Sequence, residues 1–313
     1  MIYNESANMI RDKKETTMIS TKELSKTYGK KVVVNRLNLT VKKGEIYGLL
    51  GPNGAGKTTV MKMLATLLEP SSGEVEIMGI DAKKEVFKIR GKIGYVSQYF
   101  GLYEELSVRE NIEFYASLYN ANEPTKITNL IKKYDLERFE TTMAKELSGG
   151  TQRRLSLVCA LTHEPKLLFL DEPTAGVDPV TRKELWDNFF ELRENGVTII
   201  VSTHYMEEAL RCDKLVFMSR GDIVANDSVE NIMKLLDNNH IFSLVSHEMA
   251  SLSRKLKNNP NILFTNQFGD ELRIVAEKSL DLEAIKKLLK FDDVKISKAS
   301  LEEVFIALTR DRK

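Results

Sequence analysis

An apolar run without a polar break, "IYGLL", ends at Leu50, and a stretch of a different kind follows it, "GPNGAGKTT", Gly51 to Thr59. Behind it comes the helix-like "TTVMKMLATLL". The loop fits G-x-x-x-x-G-K-[ST], and a strand before it with a helix after it is the context that separates a phosphate-binding loop from a glycine-rich turn matching by accident. Gly51, Gly54 and Gly56 let the backbone through Pro52, Asn53 and Ala55 curl until several N–H groups face an anion, and the start of the helix adds positive potential. Lys57 supplies a point charge for phosphates, while the Thr58 hydroxyl, with Thr59 beside it, suits Mg2+.

The rest of the chain agrees with an α/β core around that loop. "KLLFLDEP" and "VTIIVSTH" are continuous apolar runs separated by a helix at about 179–195, which is how strands of a parallel sheet covered on both faces read. Shorter runs upstream, from Met18 to Leu50 and at "GEVEIMGI" and "KIGYVSQ", give an early β region, and residues 99–165 are mostly helical. A first domain spans 18–235. From 236 to 313 the pattern becomes strand, helix, hairpin, helix, strand and a closing helix, which suggests a small ferredoxin-like layer. Residues 1–17 are polar and charged without a sustained period, as expected of a flexible tail.

Composition excludes several classes. Lys+Arg 46 against Asp+Glu 45 leaves a net charge of +1, so no global field argues for nucleic acid or an anionic membrane as partner. The two cysteines, Cys159 and Cys212, form no CxxC pair, so neither a disulfide framework nor a zinc site is expected, and a reducing compartment fits. No apolar run approaches the roughly 18–20 residues needed to cross a bilayer, and the expectation is a chain soluble by itself.

Three further stretches carry chemistry. "LLFLDEP" delivers Asp171 and Glu172 at a strand's C-terminal end, where ligands bind in open α/β sheets. Asp171 suits hydrated Mg2+, and Glu172 is placed to orient or deprotonate a water attacking a phosphate; a strand-ending turn that caps the next helix is the plainer alternative. His204 ends another strand, and Gln98 lies just beyond "KIGYVSQ", so both reach the same edge. Tyr28, in the turn-like "TYGKK", is placed either to stack on a purine ring or simply to pack at a hairpin. In "LSGGTQRR", Ser148 is a good N-cap, but capping does not call for Gly149 and Gly150, which weaken a helix unless its backbone must approach something closely. With Thr151 behind them they form a second anion site at the start of a helix expected from about Thr151 to His163.

"GPNGAGKTT", Gln98, "LSGGTQ", "LLFLDEP", "AGVD" and His204, in this order and spacing, resemble the nucleotide-binding subunit of an ATP-binding cassette (ABC) transporter over residues 18–235. The resemblance implies ATP and Mg2+ as ligands. It implies a Walker A loop at 51–58, a Walker B strand ending at Asp171, Glu172 as catalytic base, His204 as switch histidine, Gln98 as the Q-loop, and Tyr28 as the adenine-stacking aromatic. Thr58, Gln98 and Asp171 would then hold the metal. It further implies two cassettes packed head to tail, as a homodimer or heterodimer, with Ser148, Gly149, Gly150 and Thr151 closing over the partner's ATP and Asp178 at the seam. Thr151 stands where LSGGQ is commoner, and "AGVD" where SALD is commoner. "FGLYEELSVRENIEFYASLY", "STHYMEEALRCDKLVFMSRGDIVA" and "KASLEEVFIAL" are similar to the exporter branch that includes daunorubicin-resistance-type ATPases. Members of that branch pair with a separate integral membrane permease at the cytoplasmic face of the cell membrane. The helical lobe would make that contact, with "ENIEFYASLY" either on the docking surface or packed on its own core.

Overall fold

The computed structural model describes residues 16–310 except Phe100; residues 1–15, and with them nearly all of the expected tail, lie outside the described residues, as do 311–313. Strands β1 (Thr17–Tyr28) and β2 (Lys31–Lys42) form a long antiparallel hairpin, and β3 (Ile46–Leu50) leads into the glycine loop. The stretch read as one strand, "GEVEIMGI", is a tight hairpin of β4 (Ser72–Ile77) and β5 (Ile80–Asp81). Met78 and Gly79 both have positive φ, 52° and 74°, the geometry that matches the twist of a two-residue β-turn. Strands β6 (Ile93–Val96), β7 (Leu167–Asp171), β8 (Thr198–Thr203), β9 (Lys214–Ser219) and β10 (Asp222–Ser228) follow.

Two sheets result: β2-β1-β4-β5, antiparallel, and β10-β9-β3-β8-β7-β6. The pairs β3–β8, β3–β9, β7–β8 and β6–β7 are parallel, and every residue of β3, β7 and β8 is buried, as their unbroken apolar character requires. Ile19, Leu24, Leu37 and Val41 of the first sheet share one core with Leu49, Val60, Leu64 and Phe169. At roughly 1.5–3 kcal/mol per fully buried large side chain, this core holds the loop against the sheet.

The helical stretch between β6 and β7 contains Val108–Ser117, Pro124–Lys133 and Gly149–Leu161. The first is started by a capping box of Ser107 and Glu110, the second by proline in its first turn. Within "ENIEFYASLY", Ile112 and Ala116 pack on their own core, whereas Leu118 is 61% exposed. Cys159 and Cys212 are both free and buried.

The described chain divides into two compact units between Ile223 and Val224, earlier than the boundary at 235 expected from sequence. The short helix Val229–Met233 packs with the last helix, Leu301–Thr309, and so goes with the second unit. That unit holds β11 (Asn239–Val245), β12 (Ile262–Phe268), β13 (Glu271–Glu277) and β14 (Lys295–Ser297) in the order β12-β13-β11-β14, every pair antiparallel. Helices Met249–Leu256 and Leu282–Leu289 supply Leu252, Leu256, Ile285 and Leu289 to its core. "SLEEVF" is anchored by Glu303, fully buried, which accepts from Arg273 Nε at 2.6 Å and from Ser300 N at 2.7 Å.

His163 shows how burial sets a proton equilibrium. Its ring stacks on Tyr119 at 3.8 Å, and Nε2 must be the donor to Ile93 O at 2.8 Å, since a carbonyl only accepts. Burial holds its pKa below the ordinary 6.5, the Ile93 bond opposing this and Lys126 adding to it. Below pH 6.5 the unfolded chain therefore takes up a proton that the folded chain refuses. Stability is expected to fall as pH drops from 6.5 through the lowered folded value, and His163→Gln should flatten that part of a urea-denaturation series measured against pH.

Candidate phosphate and hydrolysis site

Parallel register levels the ends of four strands. Leu50 pairs with Thr203, Asp171 with Ser202, and Leu170 with Val96. The residues that follow, Gly51, His204, Glu172 and Gln98, therefore emerge along one edge of the sheet.

The loop from Gly51 is glycine-bound for reasons of space. A Cβ on Gly51 would lie 2.3 Å from Met218 O, and one on Gly56 would lie 2.6 Å from Val33 O at a φ of +105°. Gly56 is the N-cap of the helix Lys57–Leu64 and has no side chain to cover that helix start. Ala55 is buried beneath the loop, its N–H donating to Pro52 O at 3.1 Å. Lys57 is buried and donates from Nζ to Gly51 O at 2.8 Å and Pro52 O at 3.3 Å, with Glu172 Oε1 3.4 Å away.

Asp171 accepts from Ser202 Oγ at 2.5 Å, Thr58 Oγ1 at 3.3 Å and Tyr95 OH at 3.3 Å. Desolvation, followed by the charge of Asp171, pushes the Tyr95 phenol up, so it remains a donor. Glu172 has a φ of 49°, a costly conformation for a residue with a side chain, and its N–H is clamped by Ser202 O at 3.2 Å and Ser202 Oγ at 3.0 Å. His204 Nδ1 lies 3.5 Å from Glu172 Oε1 and Gln98 Nε2 3.5 Å from Glu172 Oε2.

A cleft of about 350 Å³ opens here, lined by Asn53, Gly54, Gly56, Lys57, Thr58, Thr59, Gln98 and Glu172 together with Lys31 and Val33. Tyr28 is outside that lining, 51% exposed at the end of β1 and paired in register with Lys31. The second glycine turn is not part of the cleft either. Ser148 caps the helix Gly149–Leu161, which starts at Gly149 rather than near Thr151. Ser148 Oγ accepts from Thr151 N at 3.3 Å and lies 2.8 Å from Thr151 Oγ1. Ser148 and Gly149 are exposed, and a Cβ on Gly149 would meet nothing within 4 Å, whereas one on Gly150 would lie 2.9 Å from Thr181 Cγ2. Asp178 caps the helix Pro179–Glu194, accepting from Val180 N at 3.0 Å and Thr181 N at 3.1 Å. Hydrogen bonds from Thr181 hold its pKa down.

Sequence reasoning missed Ser202, Tyr95 and Arg153. Buried Arg153 donates from Nη1 to Ser97 O at 3.0 Å and so ties the Ser148 helix to the segment that carries Gln98. Desolvation pulls its pKa below the usual arginine range, with Glu172 and Asp171 acting the other way. Ser202 was legible only as a polar residue two places before His204; Tyr95 and Arg153 gave no local signal.

Thr58, Asp171 and Gln98 offer a hydroxyl, a carboxylate and an amide oxygen, the hard donors Mg2+ takes when phosphates and water complete its shell. The Thr58 hydroxyl is already within 3.3 Å of Asp171 Oδ1, so the donor set fits that ion.

A family model described as ABC transporter matches residues 34–175. The chain is 42% identical over 219 residues to the probable multidrug ABC transporter ATP-binding protein YbhF of Escherichia coli, covering 69% of this chain but only 38% of that protein. It is 32% identical over 308 residues to the daunorubicin resistance ATP-binding protein DrrA3 of Streptomyces coeruleorubidus, covering 94% of this chain and 96% of that one. Among solved structures, a dimeric post-hydrolysis state of the ATP-binding cassette MJ0796 bound to ADP and Pi is similar at a TM-score of 0.64 and 29% identity, covering 68% of this chain and 99% of that chain.

The space argument for the loop has a direct check. Both positions have positive φ, so the difference between them is the clash with Val33 O, and Gly56→Ala should cost about 1–3 kcal/mol more than Gly54→Ala, which meets nothing within 4 Å. Urea denaturation measures both variants, and equal costs would sink the close-approach account.

Proposed function

This chain belongs to the ABC transporter family, and on that premise we propose that it binds and hydrolyses ATP as one of two head-to-tail cassettes that power export through a separate membrane permease. One observation carries the reading: the phosphate loop and Glu172 line one cleft, with Asp171 within 3.3 Å of Thr58 and His204 within 3.5 Å of Glu172, while an exposed glycine turn of the same chain lies outside that lining.

The residues divide the work by position. The loop amides and Lys57 bind and orient the phosphates, Glu172 orients or deprotonates the attacking water, and His204 contacts the terminal phosphate. Thr58, Asp171 and Gln98 are the residues that would hold Mg2+, which when bound neutralises phosphate charge. Tyr28 stacks on the purine from the hairpin that bears Lys31. Gly149, with open space around its Cα, lets a second cassette's nucleotide approach the backbone from outside, and Asp178 borders that contact.

No helix among the described residues is long and apolar enough to cross a membrane, so the transport path in this reading belongs to another subunit. The helical lobe offers that subunit Tyr99, 83% exposed, and Leu118, 61% exposed. The assembly would place the chain at the cytoplasmic face of the cell membrane. The names multidrug and daunorubicin resistance, borne by the relatives, favour a drug as cargo.

Two variants test the two halves of the site. Glu172→Gln should keep ATP binding, lower turnover by about 10²-fold or more, and accumulate an ATP-dependent dimer seen by light scattering. Full hydrolysis by that variant removes Glu172 from the mechanism. Gly149→Arg has room in its own chain, so the monomer should bind ATP normally while turnover collapses; equal loss of both would mean the turn serves its own nucleotide.

A further inference from the structure

One buried acid has no part in the roles above. Glu208 lies in the short helix Met206–Ala209, 2% exposed. Its Oε1 accepts from Thr174 Oγ1, and its Oε2 accepts from Thr203 Oγ1 at 2.7 Å. Arg182 brings Nε within 3.7 Å of Oε1, sets its guanidinium 4.8 Å from the centre of the Tyr205 ring, and donates from Nη2 to Val177 O at 3.3 Å. A buried carboxyl group costs several kcal/mol unless its oxygens find donors, and here both do.

The partners stand beside the hydrolytic pair in the chain. Thr203 immediately precedes His204, and its Oγ1 also accepts from Tyr205 N at 3.0 Å. Both neighbours of His204 are thus held by one hydroxyl that Glu208 fixes. Thr174 comes two residues after Glu172, whose strained backbone Ser202 clamps from the sheet side. The Thr174–Glu208 bond holds the turn that follows Glu172, and Arg182 carries the hold to Val177, next to Asp178.

We propose that Glu208 is a positioning residue for hydrolysis: by binding Thr203 and Thr174 together it fixes the backbone around His204 and behind Glu172, so that the two side chains stay in register over the cleft. The proposal rests on the reading of Glu172 and His204 as the hydrolytic pair. The side-chain partners of Glu208 are Thr174, Thr203 and Arg182, none of them assigned to the nucleotide or the metal, so its loss should act on turnover rather than on affinity.

The test is steady-state ATPase kinetics of the full-length chain as wild type, Glu172→Gln, Glu208→Ala, Glu208→Gln and Thr203→Val, with thermal melting as a check on folding. Glu208→Ala and Thr203→Val are expected to lower kcat by about 10–100-fold with KM within about 2-fold of wild type, since small misplacements act on the transition state. Glu208→Gln should recover most of the loss, because its amide oxygen accepts from one hydroxyl and its NH2 donates to the other. A folded Glu208→Ala with kcat near wild type, or one that raises KM alone, overturns the proposal while Glu172→Gln still abolishes hydrolysis. If Glu208→Ala does not fold, Thr203→Val decides in the same way. Hydrolysis that survives Glu172→Gln would instead remove the underlying reading, whatever Glu208 does.

Discussion

The register of three parallel strands governs everything else in the first unit. Leu50 sits against Thr203 and Asp171 against Ser202, so the phosphate loop, His204 and Glu172 all leave the sheet at one level. A slip of one residue would turn each strand's side chains to the other face and move the three exits apart. Burial on both faces does not itself choose the register; polar bonds specific to this alignment do, Ser202 donating to Asp171 and Thr198 Oγ1 accepting from Gly44 N at 2.9 Å.

On that edge the chain concentrates groups that are costly to bury alone. Lys57, Asp171, Glu172 and Arg153 are all buried, and each has polar or charged neighbours within reach. Lys57 is shared between two carbonyls and Glu172; Asp171 collects three hydroxyl groups. The strained backbone of Glu172 is held directly by Ser202, and, two residues on, the Thr174–Glu208 bond holds the turn that follows it. Order at the edge is thus built from many modest bonds, each useful because the others are already made.

The second glycine turn follows a different logic. Gly150 is glycine because Thr181 leaves no room for a Cβ, a packing reason within the chain. Gly149 has no such neighbour within 4 Å, so no contact inside the chain demands its small size; in the proposed function the demand comes from a second cassette's nucleotide. The last helix of the second unit is likewise explained from inside, by the bond of Glu303 to Arg273. Motifs that look alike in a sequence therefore divide into those that serve the fold and those that face outward.

Local patterns pointed to the candidate site: the glycine loop, the strand-end acids, His204, Gln98 and the paired glycines were legible as candidates because each is a particular residue type at a fixed distance along the chain. The parallel core and the strand and helix order of the second unit were legible for the same reason, since burial imposes a period on the residues themselves. The hairpin at Met78–Gly79 and the division at residue 223 were not, because a backbone φ and the packing of Val229–Met233 on the last helix depend on partners elsewhere. Nor were Ser202, Tyr95, Arg153 and Glu208 readable as members of the site. Their roles come from hydrogen bonds between residues far apart in sequence, and only tertiary structure decides which distant side chains meet.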